Sequence, residues 1–193
     1  YTLNKLNIPG RVYVPEDASA TKIETIRDYG VEVIVEGSDC VIAEAVARQY
    51  SEMNGLTFVS PYNDPLVVAG QGTIAVELQH QLDRIDAVFV SVGGGGLIAG
   101  ISGYLKKVNP DVKIIGCSPE NSSVMMRSIQ AGEILDMESK PTLSDGTAGG
   151  VEQDAITFNL CKKLVDDFIL VTEEEIAEAM RLFIEKEHLL IEG

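Results

Sequence analysis

Ser91-Val92-Gly93-Gly94-Gly95-Gly96-Leu97 is the stretch on which the reading of the fold turns. It follows an apolar run over residues 87–92 and precedes positions Ile98, Ile101, Leu105 and Val108, which repeat at intervals of three and four. The first pattern is that of a buried parallel strand, the second that of an amphipathic helix. Ordering four glycines costs roughly 0.5–1 kcal/mol each, which makes sense where something must approach the backbone closely. With no Cβ in the way, successive N–H groups can curl into a nest around an anion. The helix that follows adds its positive dipole end and its unpaired donors. A phosphate is the natural ligand, since a tight strand-to-helix turn alone would need only one or two glycines. Gly94-Gly95-Gly96-Leu97-Ile98-Ala99 also fits the dinucleotide fingerprint formally, with Glu120 about 20 residues onward. A nicotinamide oxidoreductase therefore stays open at this point. No Lys-Ser/Thr pair follows the glycines, which excludes a Walker A loop.

Working outward, short β-branched runs predict strands at residues 11–14, 31–35, 56–59, 87–92, 112–117 and 168–171. Helical faces lie between them: Ile23 and Ile26; then Val41, Ala45, Val46, Gln49 and Tyr50; then Ile74, Leu78 and Leu82. Thr172 with Glu175 three residues on reads as a capping box that opens a helix through Ile176, Met180, Phe183 and Ile184. Alternating strands and helices of this kind predict an α/β fold with parallel sheets. Ser60-Pro61-Tyr62-Asn63-Asp64-Pro65 reads as a turn or linker and gives one boundary, dividing residues 1–61 from 62–193. Residues 141–150, rich in Gly, Ser and Thr, read as a long and functional loop.

The 193 residues are 45% hydrophobic and 23% charged, as in a globular chain, with a formal net charge of −15. So negative a surface repels phosphate backbones and anionic lipid, which argues against nucleic-acid and membrane partners. No apolar run approaches the roughly 20 residues of a membrane span, and Tyr1-Thr2-Leu3-Asn4-Lys5 lacks the apolar stretch of a secretion signal. Cys40, Cys117 and Cys161 are odd in number and far apart, so reduced thiols and a cytoplasmic location are expected, with no disulfide framework. Neither end has the look of a natural terminus, and the chain is read as an internal fragment.

The residues resemble a known family. Val92 to Leu97, with Ala69-Gly70-Gln71-Gly72-Thr73 upstream, looks like the fold-type-II pyridoxal-phosphate enzymes, in the branch of serine/threonine dehydratases (ammonia-lyases) and serine racemases. Ile8-Pro9, Val14-Pro15-Glu16, residues 29–33, Asp64-Pro65, Asp145-Gly146 and Leu190-Ile191-Glu192-Gly193 fall in that family's order. The resemblance implies two parallel-sheet, three-layer α/β domains of the tryptophan synthase beta-like kind, here incomplete at both ends. Residues 1–61 would be most of the small, mobile domain and 62–193 part of the large cofactor-binding domain. It implies that Gly93, Gly94, Gly95, Gly96 and Leu97 grip the phosphate of pyridoxal 5′-phosphate, that Gly146 and Glu192 lie near its ring, and that Asp145 lies in the substrate wall. The reaction implied is elimination of water from a 3-hydroxy amino acid to an aminoacrylate, which takes up water again as it decays to a 2-keto acid and ammonia, in an enzyme that forms homo-oligomers.

The family's Schiff-base lysine sits in a Ser-x-Lys segment that has no counterpart here, and none of the nine lysines is nominated in its place. No catalytic residue is therefore assigned, and the fragment alone is expected to be inactive. Some racemase-like relatives carry a metal-binding carboxylate where this chain has Ser118. Glu120 stands two residues on and reads as an exposed loop acid, so no metal is expected. His80 and His188 read as ordinary helix residues and Met125-Met126 with Ile129 as core packing, while Ser144 and Thr147 either stabilise their loop or face a substrate. Racemization is the sibling activity. The oxidoreductase and a non-catalytic binding fragment are the alternatives from other classes.

Overall fold

The computed structural model describes residues 1–193. The chain divides into two compact units, Tyr1–Val59 and Ser60–Gly193. In the first, β1 (Arg11–Val14) and β2 (Glu32–Val35) pair in parallel, with Val12 opposite Val33 and Val14 opposite Val35. Three helices accompany them: α1 (Thr2–Leu6), α2 (Ala20–Asp28) and α3 (Cys40–Asn54). The Asp39 side chain accepts from the Val41 N–H at 2.9 Å and starts α3, and Gly55 ends it in the left-handed conformation.

Two expectations need correction in this unit. The buried stripe of α3 is Ala43, Ala47 and Ser51, whereas Ala45 and Gln49 are exposed. Small residues four apart let the helix lie close to β1, and that close approach sets the face more than residue hydrophobicity does. Residues 56–59 form no strand. A strand needs a ladder partner, the sheet here has only β1 and β2, and Leu56 and Val59 stay exposed.

The second unit holds α4 (Pro65–Gln71), α5 (Thr73–Gln81), β3 (Ala87–Ser91), α6 (Gly96–Val108), β4 (Lys113–Pro119), α7 (Val124–Ala131), α8 (Ile156–Leu164), β5 (Asp167–Val171) and α9 (Glu173–Glu187). Its sheet is parallel throughout in the order β3-β4-β5, with Ser91, Cys117 and Ile169 in register. The expected parallel α/β architecture is the observed one. Of the two readings of Ser60–Pro65, turn and linker, the structure shows the turn: residues 61–64 bend, Ser60 and Tyr62 are buried, and Asp64 caps α4 with Pro65 in its first turn.

Helix α6 is buried almost all round and packs on α4, α5 and α8. It crosses α4 so closely that a Cβ on Gly100 would stand 2.6 Å from the Gly72 nitrogen. The expected stripe of α5 is rotated as well, since Ala75 is buried while Ile74 and Leu82 are exposed. Val92, Ile98, Leu105, Ile114, Met125 and Cys161 form the most enclosed part of the core. The capping box of α9 is present in both directions, between Thr172 and Glu175. No helix is long and apolar enough to cross a membrane.

Candidate functional site

The carboxyl ends of the three parallel strands open onto the segments that start at Val92, Glu120 and Thr172. In sheets of this kind, ligands bind at that edge. The glycine loop leaves β3 there and enters α6 with Gly95 as N-cap, at φ 84°. A side chain at that φ is strained, and its Cβ would also press on Cys161 and Met125, each 3.0 Å away. The ring of Tyr62 fills the space beside Gly94 where a Cβ would stand, and the Thr147 backbone does the same beside Gly93. The four glycines are therefore required by the chain's own packing. This corrects the argument from their number, because a ligand is not needed to explain them.

The hydrogen bonds of the loop carry more information. The carbonyls of Val92, Gly94 and Gly95 are held from within the protein. The Ser118 hydroxyl donates to the Val92 carbonyl at 3.2 Å, and Thr157 donates to that of Gly94 at 2.6 Å. The Gly95 carbonyl accepts from the Ala99 N–H at 3.0 Å and from the Cys161 thiol at 3.8 Å. Burial pushes the Cys161 thiol up to about 12, so it keeps its proton and remains a donor at neutral pH.

The amides are the opposite case. No N–H of Gly93, Gly94, Gly95, Gly96 or Leu97 has an acceptor in the chain, and α6 has no side-chain N-cap. Gly95 and Gly96 are nevertheless buried. Five successive donors at the positive end of a helix, two of them on buried residues, suit a compact group of anionic oxygens. A phosphate ester has that chemistry, and the residues present fit it.

The other expected site residues lie close by. Asp145, Gly146 and Thr147 form a single 3-10 turn, and the Thr147 backbone abuts Gly93. A Cβ on Gly146 would stand 3.9 Å from Glu192 Oε2. Asp145, Gly146 and Glu192 are exposed. Ser144 and Thr147 resolve in favour of loop stabilisation: their hydroxyls lie 2.8 Å apart, and Thr147 Oγ1 also donates to the Ser144 carbonyl at 3.0 Å. Lys106 and Lys113 reach Asp166 at the opposite edge of the sheet. Glu120 lines a separate cavity of about 200 Å³ together with Arg127 and Lys140.

Sequence reasoning missed the residues behind the loop. The Tyr62 hydroxyl accepts from the Glu152 N–H at 2.9 Å. Asn63 donates to the Glu152 carboxylate at 2.6 Å and accepts from the Ile156 N–H at 2.9 Å. These bonds tie the segment before α4 to the start of α8, and so brace the Tyr62 ring against Gly94. About ninety positions separate the partners in the chain, so no local pattern could announce them.

The family model described as pyridoxal-phosphate dependent enzyme matches residues 1–193. An L-threonine ammonia-lyase of Thermotoga maritima is 43% identical over 186 residues, which are 96% of this chain and 46% of that protein. A solved serine racemase of maize superposes with a TM-score of 0.88 at 30% identity, over 98% of this chain and 57% of that one. The processed form of threonine deaminase isoform 2 from Solanum lycopersicum superposes with a TM-score of 0.85 at 34% identity, over 97% and 55%. The chain spans about half the length of the curated relatives it matches.

Proposed function

The chain belongs to the pyridoxal-phosphate dependent enzymes, and from that premise we propose that it is part of a serine/threonine ammonia-lyase, which eliminates water from a 3-hydroxy amino acid to leave an aminoacrylate, whose hydrolysis by water then gives a 2-keto acid and ammonia. Relatives named L-threonine ammonia-lyase at 43% and 40% identity support the substrate class. The cofactor, when bound, supplies the sink for the electron pair left behind when Cα loses its proton. The amides of Gly93, Gly94, Gly95, Gly96 and Leu97 hold its phosphate ester. Gly146 and Glu192 border its ring, and Asp145 forms part of the wall that orients the substrate amino acid. Residues 1–61 are read as most of a small domain and 62–193 as part of the cofactor-binding domain. None of the chain's lysines is assigned to the Schiff base, so this chain alone is proposed to be inactive, and the whole enzyme to work as a cytoplasmic homo-oligomer.

The unpaired amide ladder carries this reading. The full-length enzyme should bind pyridoxal 5′-phosphate far more tightly than unphosphorylated pyridoxal and release a 2-keto acid from L-threonine or L-serine. Equal affinity for the two pyridoxal forms would overturn the phosphate site. The likeness to a serine racemase supports one second reading, racemization, which chiral analysis of recovered serine separates from elimination.

A further inference from the structure

We infer that Thr157, at the start of α8, is a positioning residue for the phosphate site: its hydroxyl holds the Gly94 carbonyl turned inward, so that the amides of the glycine loop face outward together. The inference rests on the phosphate reading of that loop.

A peptide unit carries its C=O and N–H on opposite sides. Fixing the Gly94 carbonyl therefore fixes the direction of the Gly95 N–H. Thr157 is fully buried, and its hydroxyl lies 2.6 Å from the Gly94 oxygen. One turn further along α8, the Cys161 thiol approaches the neighbouring Gly95 oxygen. Two side chains on one face of α8 thus grip two consecutive carbonyls, and the segment so gripped is the one whose amides lack acceptors.

The Tyr62 ring covers the Gly94 side of the loop, but a ring beside a glycine restricts position more than rotation. Glycine has the widest choice of backbone angles. Without the Thr157 bond the peptide between Gly94 and Gly95 is free to rotate, which would aim a carbonyl dipole at the ligand's anionic oxygens. Thr157 touches neither cofactor nor substrate in this scheme. It acts through the backbone.

The test is binding of pyridoxal 5′-phosphate and of pyridoxal to the cofactor-free full-length enzyme, compared among wild type, Thr157→Val and Thr157→Ser. Valine keeps the shape and removes the donor, whereas serine keeps the donor. Thr157→Val should weaken pyridoxal 5′-phosphate binding about tenfold, the equivalent of roughly 1.4 kcal/mol, and leave pyridoxal binding within twofold. Thr157→Ser should bind both as wild type does. A merely structural role would weaken both ligands alike, and that outcome would overturn the inference, as would unchanged binding of both by Thr157→Val or a phosphate-specific loss in Thr157→Ser. If wild type itself fails to prefer the phosphorylated form, the phosphate reading fails, whatever the variants do.

Discussion

The ring of Tyr62 occupies the space that a side chain on Gly94 would need, and the Glu152 N–H bonded to its hydroxyl keeps it there. Gly94→Ala should therefore destabilise the fold before any ligand is considered. Overpacking of this kind costs about 1–3 kcal/mol. The double variant Gly94→Ala/Tyr62→Ala should fall short of the summed single losses by about 1 kcal/mol, since residues in contact are not additive. Urea unfolding of the four proteins measures the coupling. Strict additivity would mean that ring and loop do not press on each other.

Asn63 offers its amide N–H to the Glu152 carboxylate and its amide oxygen to the Ile156 N–H. Asn63→Asp keeps the acceptor but turns the donor into a second carboxylate beside Glu152, with Asp154 also near. At neutral pH the variant should lose about 2 kcal/mol of stability, the range for a buried polar group left without its partner. Urea unfolding at pH 7 measures the loss, and a variant as stable as wild type would contradict it.

Asp166 joins three elements of the sheet's other edge. It accepts from the Ile114 N–H at 2.7 Å and from Lys106 at 2.7 Å, with Lys113 at 3.9 Å. The Ile114 N–H first, then Lys106, hold its carboxyl below the usual carboxylate range. A carboxyl lowered by folding contributes stability that is present above its unfolded value of about 3.9 and is lost as pH falls through the lower folded value. Asp166→Asn should therefore cost about 1 kcal/mol at pH 7, and the difference from wild type should shrink steadily below about pH 4. A difference independent of pH would remove the carboxylate from the account.

What the sequence made legible was local or sequential. The Thr172–Glu175 capping box spans four residues, and strands β3 to β5 announce themselves as apolar runs between helices. The glycine loop was legible because its neighbours on both sides are regular elements. The misreadings have a common cause in tertiary contact. Residues 56–59 look like a strand, but no other strand offers them a ladder. The buried α3 stripe falls on Ala43 and Ala47 rather than on Ala45 and Gln49, because the closeness that selects it depends on a sheet that periodicity does not show. Tyr62 lies in a stretch that reads as a turn or linker because prolines flank it, and nothing in that reading shows that its ring is buried against Gly94. No sequence pattern singles out Thr157, since a hydroxyl's acceptor 63 residues upstream leaves no mark on spacing.

Gly146 contrasts with Gly94 and allows the site to be probed without disturbing the fold. A Cβ there would meet only Glu192 Oε2, at an ordinary contact distance of 3.9 Å, and Gly146 is not among the glycines with positive φ. Gly146→Ala should thus leave stability within about 0.5 kcal/mol of wild type, as at most unconstrained surface positions. The added methyl would still stand beside the Glu192 carboxylate, near which the cofactor ring is proposed to lie. In the full-length enzyme, one methyl in a binding surface shifts affinity by about tenfold, so cofactor binding should weaken to that extent at unchanged thermal stability. Glu192→Gln should change the visible absorption of the bound cofactor if that carboxylate borders the ring. Should Gly146→Ala leave both stability and cofactor affinity untouched, with Glu192→Gln spectrally silent, the ring would have to lie elsewhere, and the amide ladder alone would remain to locate the phosphate.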